Sequence, residues 1–177
     1  MEIPKKIFLI GFMGCGKSTH GKKLAKALNR PFVDLDHYIE RKEDKSIPEI
    51  FKHKGEDYFR AKESEYLEQV VRRYDSSVIS LGGGTPCFNN NDEFIFKSGL
   101  AIYVSMPPEA LLHRLSQSEN KRPLLTGKNE EENLAIIKSL LQQRESTYEK
   151  APIKVKGIDL TTEKILEELS LFIGKSQ

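Results

Sequence analysis

Gly11-Phe12-Met13-Gly14-Cys15-Gly16-Lys17-Ser18 fits the pattern G-x-x-x-x-G-K-[S/T], and Thr19 extends it. Glycines let successive backbone N–H groups turn toward one point, which makes a concave site for an anion. A helix starting near Lys17 adds the positive end of its dipole. Lys17 brings a mobile charge suited to β- and γ-phosphates, and the Ser18 hydroxyl is placed to ligate Mg²⁺. The plainer reading is a glycine-rich turn with an exposed lysine. Context favours the cradle, because a buried strand pattern precedes it and an amphipathic helix pattern follows. Phosphate binding alone names no reaction, since such loops serve kinases, switches and motors.

An acceptor side must decide. Asp34-Leu35-Asp36 follows the second apolar run. At a strand end beside the cradle, Asp34 suits a water on Mg²⁺ and Asp36 suits a substrate hydroxyl. The competing readings are a helix N-cap at Asp36 and a surface charge at Asp34. Gly82-Gly83-Gly84 follows Val78-Ile79-Ser80-Leu81. Three glycines weaken regular structure by roughly 1 kcal/mol each, so the run suggests backbone that must approach a ligand. Ser80, just before them, is within reach of a Mg²⁺ shell. Arg60 and Glu63 are spaced i, i+3, and Arg144 and Tyr148 i, i+4, on helical patterns. Arg114 ends the helix before a polar stretch, and Arg122 lies within it. Arginine forks suit carboxylates and phosphates, although a single arginine is more often a solvated charge.

The elements that must position these groups follow from periodicity. Ile7–Ile10, Phe32–Val33, Val78–Leu81, Leu100–Val104 and the weaker Ile153–Val155 read as strands, the apolar ones as interior strands of a parallel sheet. Lys17–Asn29, Glu130–Lys150 and Thr161–Ile173 read as helices. Ser46-Ile47-Pro48-Glu49 is a capping box that starts another. Alternation of helices and buried strands predicts a three-layer α/β domain with right-handed crossovers. The polar run 116–130 is long enough for a lid.

Composition sets bounds. The chain has 177 residues, which predicts a single domain over 1–177. Its net charge of +2 argues against a dedicated nucleic-acid binder. No apolar run reaches the ~20 residues that span a bilayer. Two cysteines, Cys15 and Cys87, cannot make a disulfide framework, and the N-terminus is a poor signal or transit peptide. A cytoplasmic location is expected. The four histidines show no metal-ligand spacing.

Together G-F-M-G-C-G-K-S-T, D-L-D, F-R-A-K-E, L-G-G-G, R-P-L-L and R-E-S-T-Y resemble shikimate kinase, over nearly the whole chain. L-G-G-G with R-P-L-L is the more specific part. The resemblance implies an αβα P-loop kinase fold with a central parallel sheet of about five strands. It implies ATP-dependent phosphorylation of the shikimate 3-hydroxyl in aromatic amino-acid biosynthesis, with Mg²⁺, by a monomer. Arg60 and Arg144 match arginines that clasp the substrate carboxylate, and Asp36 the carboxylate on its hydroxyls. Gly82 and Gly83 match backbone contacts, beside Gly84. Phe51, Phe59, Pro123 and Leu124 match apolar contacts around the ring, within a substrate segment of about 36–62 and the lid. Arg122 matches the lid arginine on the phosphates, Asp34 and Ser80 match Mg²⁺ positions, and Glu63 a residue that orients an arginine.

One position departs. The family often has an adenine-stacking arginine seven residues before the lid arginine; here that residue is Leu115, with Arg114 beside it. Lys154–Thr162 is expected to form the other adenine wall. Cys15 stands where serine or alanine is common and reads as packing. Two rival functions are a kinase for another small acid, such as gluconate, and a nucleotide-binding switch without acceptor chemistry.

Overall fold

A computed structural model describes residues 3–117 and 129–175. Five strands form one sheet: β1 (Lys6–Ile10), β2 (Phe32–Asp34), β3 (Ser77–Ser80), β4 (Leu100–Ser105) and β5 (Ile153–Lys156). Their order is β2-β3-β1-β4-β5, and every neighbouring pair is parallel. Each apolar run expected to be a strand is one, with ends moved by a single residue. Ile7, Phe8, Leu9 and Ile10 of β1 are wholly buried. β1 lies mid-sheet with helices over both faces, so none of these four side chains meets water. Burying each contributes roughly 1.5–3 kcal/mol. β5 is an edge strand. Ile153 and Val155 point inward while Lys154 and Lys156 are exposed, which explains its weaker pattern.

The helices are α1 (Lys17–Ala27), α2 (Leu35–Glu43), α3 (Ile47–Arg73), α4 (Asn91–Ser98), α5 (Pro108–Ser116), α6 (Glu130–Tyr148) and α7 (Thr162–Lys175). α1 packs with α7, and α5 with α6. The capping box at Ser46 forms as expected: Glu49 N–H donates to Ser46 Oγ, and Ser46 N–H donates to Glu49 Oε2 at 2.8 Å. A second box, Asn129 with Glu132, starts α6. α4 carries no side-chain cap, and nothing in its local sequence announced it. Ser116 closes α5 and Asn129 caps α6, so the expected 116–130 run overlaps a helix end on each side; 118–128 fall outside the described residues.

α3 is broken at Gly55, where φ is 81°, a value that favours glycine. The break is braced. Glu43 at the end of α2 accepts from Tyr66 Oη at 2.7 Å, Tyr58 Oη at 2.9 Å and Lys54 Nζ at 3.2 Å. Lys54 and Tyr58 stand on opposite sides of Gly55, so one buried carboxylate spans the kink. Among the described residues no helix is long and apolar enough to cross a membrane.

The strand order turns back at β1, with β3 on one side and β4 on the other. In open parallel sheets such a point opens a crevice at the carboxyl ends of the strands. Here it receives the cradle after β1, the glycines after β3 and Asp34 at the end of β2.

Candidate active site

The cradle starts from Gly16, whose φ of 98° is the left-handed value the motif requires. Gly16 precedes α1 without a side-chain cap, so the first N–H groups of the helix are left to a ligand. Lys17 is 7% exposed and folds back over the loop, donating to the carbonyls of Gly11 and Phe12 at 2.8 Å each. Cys15 is buried beneath it, in keeping with a packing role. Met13, Gly14, Gly16, Lys17, Ser18 and Thr19 line the open cleft, whereas Gly11 and Cys15 do not.

Three oxygens meet at the helix start. Ser18 Oγ donates to Asp34 Oδ2 at 2.5 Å and lies 3.3 Å from Ser80 Oγ. The register pairs Asp34 with Ser80, which brings the two strand ends to Ser18. Hydroxyls and a carboxylate are hard ligands of the kind Mg²⁺ takes, usually with phosphates and water completing its shell. Among the described residues no group of three His, Cys, Asp or Glu could hold a metal. The helix cap falls at Asp34, not Asp36: His37 N–H donates to Asp34 Oδ1 at 3.4 Å. The surface-charge reading of Asp34 fails as well, since its side chain is 15% exposed.

Asp36 sits in the first turn of α2 and faces Gly82; a Cβ there would lie 2.8 Å from Asp36 Oδ1. Thr85 Oγ1 and Glu63 Oε1 converge on the same point, at 2.9 and 3.1 Å. Glu63 is 1% exposed, accepting from Thr85 Oγ1 at 2.6 Å and from Arg60 Nη1 at 2.8 Å. This is a buried, fully partnered carboxylate, and it holds Arg60 as the i, i+3 spacing suggested. Arg60 Nε also reaches Glu56 at 3.2 Å. Its guanidinium lies against Gly84, where a Cβ would sit 2.8 Å from Nη1 and Nη2. Arg144 reaches the neighbouring glycine: its Nη1 would lie 3.4 Å from a Cβ on Gly83. Adjacent glycines therefore seat two arginines from distant helices.

Tyr148, one turn after Arg144, donates its hydroxyl to the carbonyl of Gly83, and its ring lies 5.1 Å from that of Tyr103. Burial raises the Tyr148 phenol above its ordinary pKa, so it stays a donor. Phe51 and Phe59 pack ring to ring at 4.7 Å and line the same cleft. The cleft holds about 460 Å³, room for a small acid beside a phosphate chain.

Arg114 and Leu115 close its far end. Leu115 packs on Gly14, and Arg114 Nη2 donates to the Gly157 carbonyl at 3.3 Å. Arg114 thus ties the cradle to the segment after β5. His20, given no role from sequence, packs over Gly16. Burial, with Lys23 and Arg114 nearby, holds its imidazole below the ordinary pKa. Arg122, Pro123 and Leu124 lie outside the described residues. Thr85, and Tyr148 as a tether to the glycines, are contributions that sequence spacing did not indicate. They bond across distant elements, and no local pattern encodes that.

Known proteins resemble this chain in sequence and fold. A family model described as shikimate kinase matches residues 13–173. A shikimate kinase of Parabacteroides distasonis is 40% identical over 94% of this chain and 95% of its own. The crystal structure of shikimate kinase from Bacteroides thetaiotaomicron superposes with a TM-score of 0.86 at 37% identity, covering 94% of this chain and 95% of that one. Shikimate kinase from Acinetobacter baumannii in complex with shikimate gives 0.81 at 34% identity, over 97% and 93%.

Proposed function

The chain belongs to the shikimate kinase family, and from that membership we propose how its residues divide the work. The reaction is ATP-dependent phosphorylation of the 3-hydroxyl of shikimate, in aromatic amino-acid biosynthesis. The observation that carries the residue assignment is the meeting of a phosphate cradle with two arginines at Gly83 and Gly84 in one cleft.

At one end of the cleft, Arg60 and Arg144 clasp the substrate carboxylate, each charge-assisted bond contributing roughly 1.5–3 kcal/mol. Phe51 and Phe59 cover the ring, with Gly82, Gly83 and Gly84 offering backbone contact. At the other end the cradle binds the phosphates, with Arg114 beside the nucleotide base. Asp36 orients the 3-hydroxyl and takes its proton. The hydroxyl oxygen then bonds to the γ-phosphorus in line as the bond to the ADP oxygen breaks. Lys17 leaves its carbonyl partners to follow the charge on the transferring group. Ser18, with Asp34 and Ser80 beside it, would hold Mg²⁺, which would supply further charge neutralisation when bound. Arg122 keeps the role on the phosphates that the resemblance gives it, Pro123 and Leu124 keep theirs around the ring, and the lid they belong to excludes water from the phosphoryl group.

The same reading makes the protein a cytoplasmic monomer acting on small molecules, with no nucleic acid or membrane partner. The near balance of charge supports the absence of a nucleic-acid partner.

ADP release measured with ATP, Mg²⁺ and shikimate, against the same mixture without acceptor and with gluconate, tests the reading. Stimulation by shikimate alone is expected. Equal slow hydrolysis in all three would support the switch instead.

A further inference from the structure

Arg60 is held by more than its ion pairs. The ring centroid of Phe88 lies 4.0 Å from Arg60 Cζ, and that of Phe59 lies 5.1 Å away. Gly84 backs the same guanidinium. Phe88 is half-buried, and among the described residues it does not join the apolar set that packs on the core. A large ring that adds little to the core yet covers a cation is placed for that cation.

The chain around Phe88 is stapled to keep it there. Thr85 Oγ1 donates to Glu63, and Asn91 Nδ2 donates to the Thr85 carbonyl at 2.9 Å. Asn89, at φ 52°, donates Nδ2 to the Arg60 carbonyl at 3.1 Å and to Ser64 Oγ at 3.0 Å. Anchors to α3 therefore sit on both sides of Phe88, three residues before it and one after.

We propose that Phe88 is a positioning residue for Arg60, fixing the guanidinium plane so that the acceptor carboxylate meets a preset fork. This rests on the assignment of Arg60 to the substrate carboxylate given above. An arginine carries large rotamer freedom, and freezing it before binding removes that loss from the binding step. Glu56 and Glu63 fix Nε and Nη1 at the edge of the guanidinium; the ring fixes its face.

The test is steady-state kinetics on the full chain with Phe88→Leu, Phe88→Tyr, Arg60→Lys and the Phe88→Leu/Arg60→Lys double variant. Phe88→Leu keeps apolar bulk and loses the π face. Its KM for shikimate should rise about tenfold, with kcat and the KM for ATP within about twofold. Phe88→Tyr should match the parent. In the double variant the Phe88 change should add little, because its effect passes through Arg60. A KM for shikimate unchanged in Phe88→Leu, or effects that simply add in the double variant, would overturn the positioning role. An unchanged KM in Arg60→Lys would instead overturn the assignment of Arg60 itself, and the proposal with it.

Discussion

Lys17 Nζ lies 2.8 Å from the carbonyl oxygen of Gly11 and is parked on the loop that precedes it. The ammonium is thus held beside the phosphate position while keeping backbone partners that it can exchange for phosphate oxygens. Lys17→Met should lower kcat by at least about 10²–10³-fold, the loss typical of removing one preset electrostatic contact. The helix start does not use the side chain, so the thermal midpoint should stay within a few degrees. A coupled ADP assay with a melting curve checks both, and retained turnover would sink the cradle assignment.

Asp34 both caps α2 and bonds Ser18. Asparagine caps a helix as well as aspartate does but carries no charge. Asp34→Asn should therefore keep the fold and raise the Mg²⁺ concentration needed for half-maximal rate by about tenfold or more. Chelating the metal from the parent should stop turnover, and added Mg²⁺ should restore it. An unaltered Mg²⁺ titration in the variant would remove Asp34 from the metal environment.

Arg144 presents its guanidinium at Gly83. Arg144→Lys keeps the charge and loses the fork. We expect the KM for shikimate to rise about tenfold to a hundredfold, matching one charge-assisted bond, with the KM for ATP unchanged. Equal changes in both KM values would mean a general disturbance of α6.

Glu43 is predicted to shape acid stability. Its carboxyl is held below its ordinary pKa, first by the Tyr66 hydroxyl and further by Tyr58 and Lys54, against a smaller opposing effect of burial. The unfolded chain therefore takes up a proton before the folded one does as pH falls. The stabilisation is complete above the ordinary value of 4.5 and drains away below it. Melting curves between pH 7 and pH 3.5 should show Glu43→Gln less stable than the parent at neutral pH, with the gap closing at the acid end. A constant gap would contradict the assignment.

Much of this was legible in the chain. The cradle, the glycine run and the i, i+3 pair Arg60–Glu63 are local, and local spacing states them. The five strands were readable because a buried parallel strand is a short apolar run with a sharp end, as at Ile10-Gly11. That Asp34 rather than Asp36 caps α2 was not readable, because aspartate suits a cap at either position and the residue at which β2 ends decides. The Thr85–Glu63 bond and the tether of Tyr148 to Gly83 span 22 and 65 residues, a separation at which sequence carries no periodic trace. The break at Gly55 has a visible glycine, but its brace by Glu43 needs the packing of α2 on α3.

The tether at Tyr148 has a consequence for how this helix can drift over generations. Its hydroxyl grips Gly83 and its ring lies on Tyr103, so α6 is indexed to the sheet at two points. Arg144 is one turn away along the same line, while Gln142, Gln143, Glu145 and Ser146 face water. A saturation library over 141–148 should therefore read as a barcode. The dark bars should fall at Leu141, Arg144 and Tyr148, and the exposed positions between them should accept nearly any residue a helix tolerates.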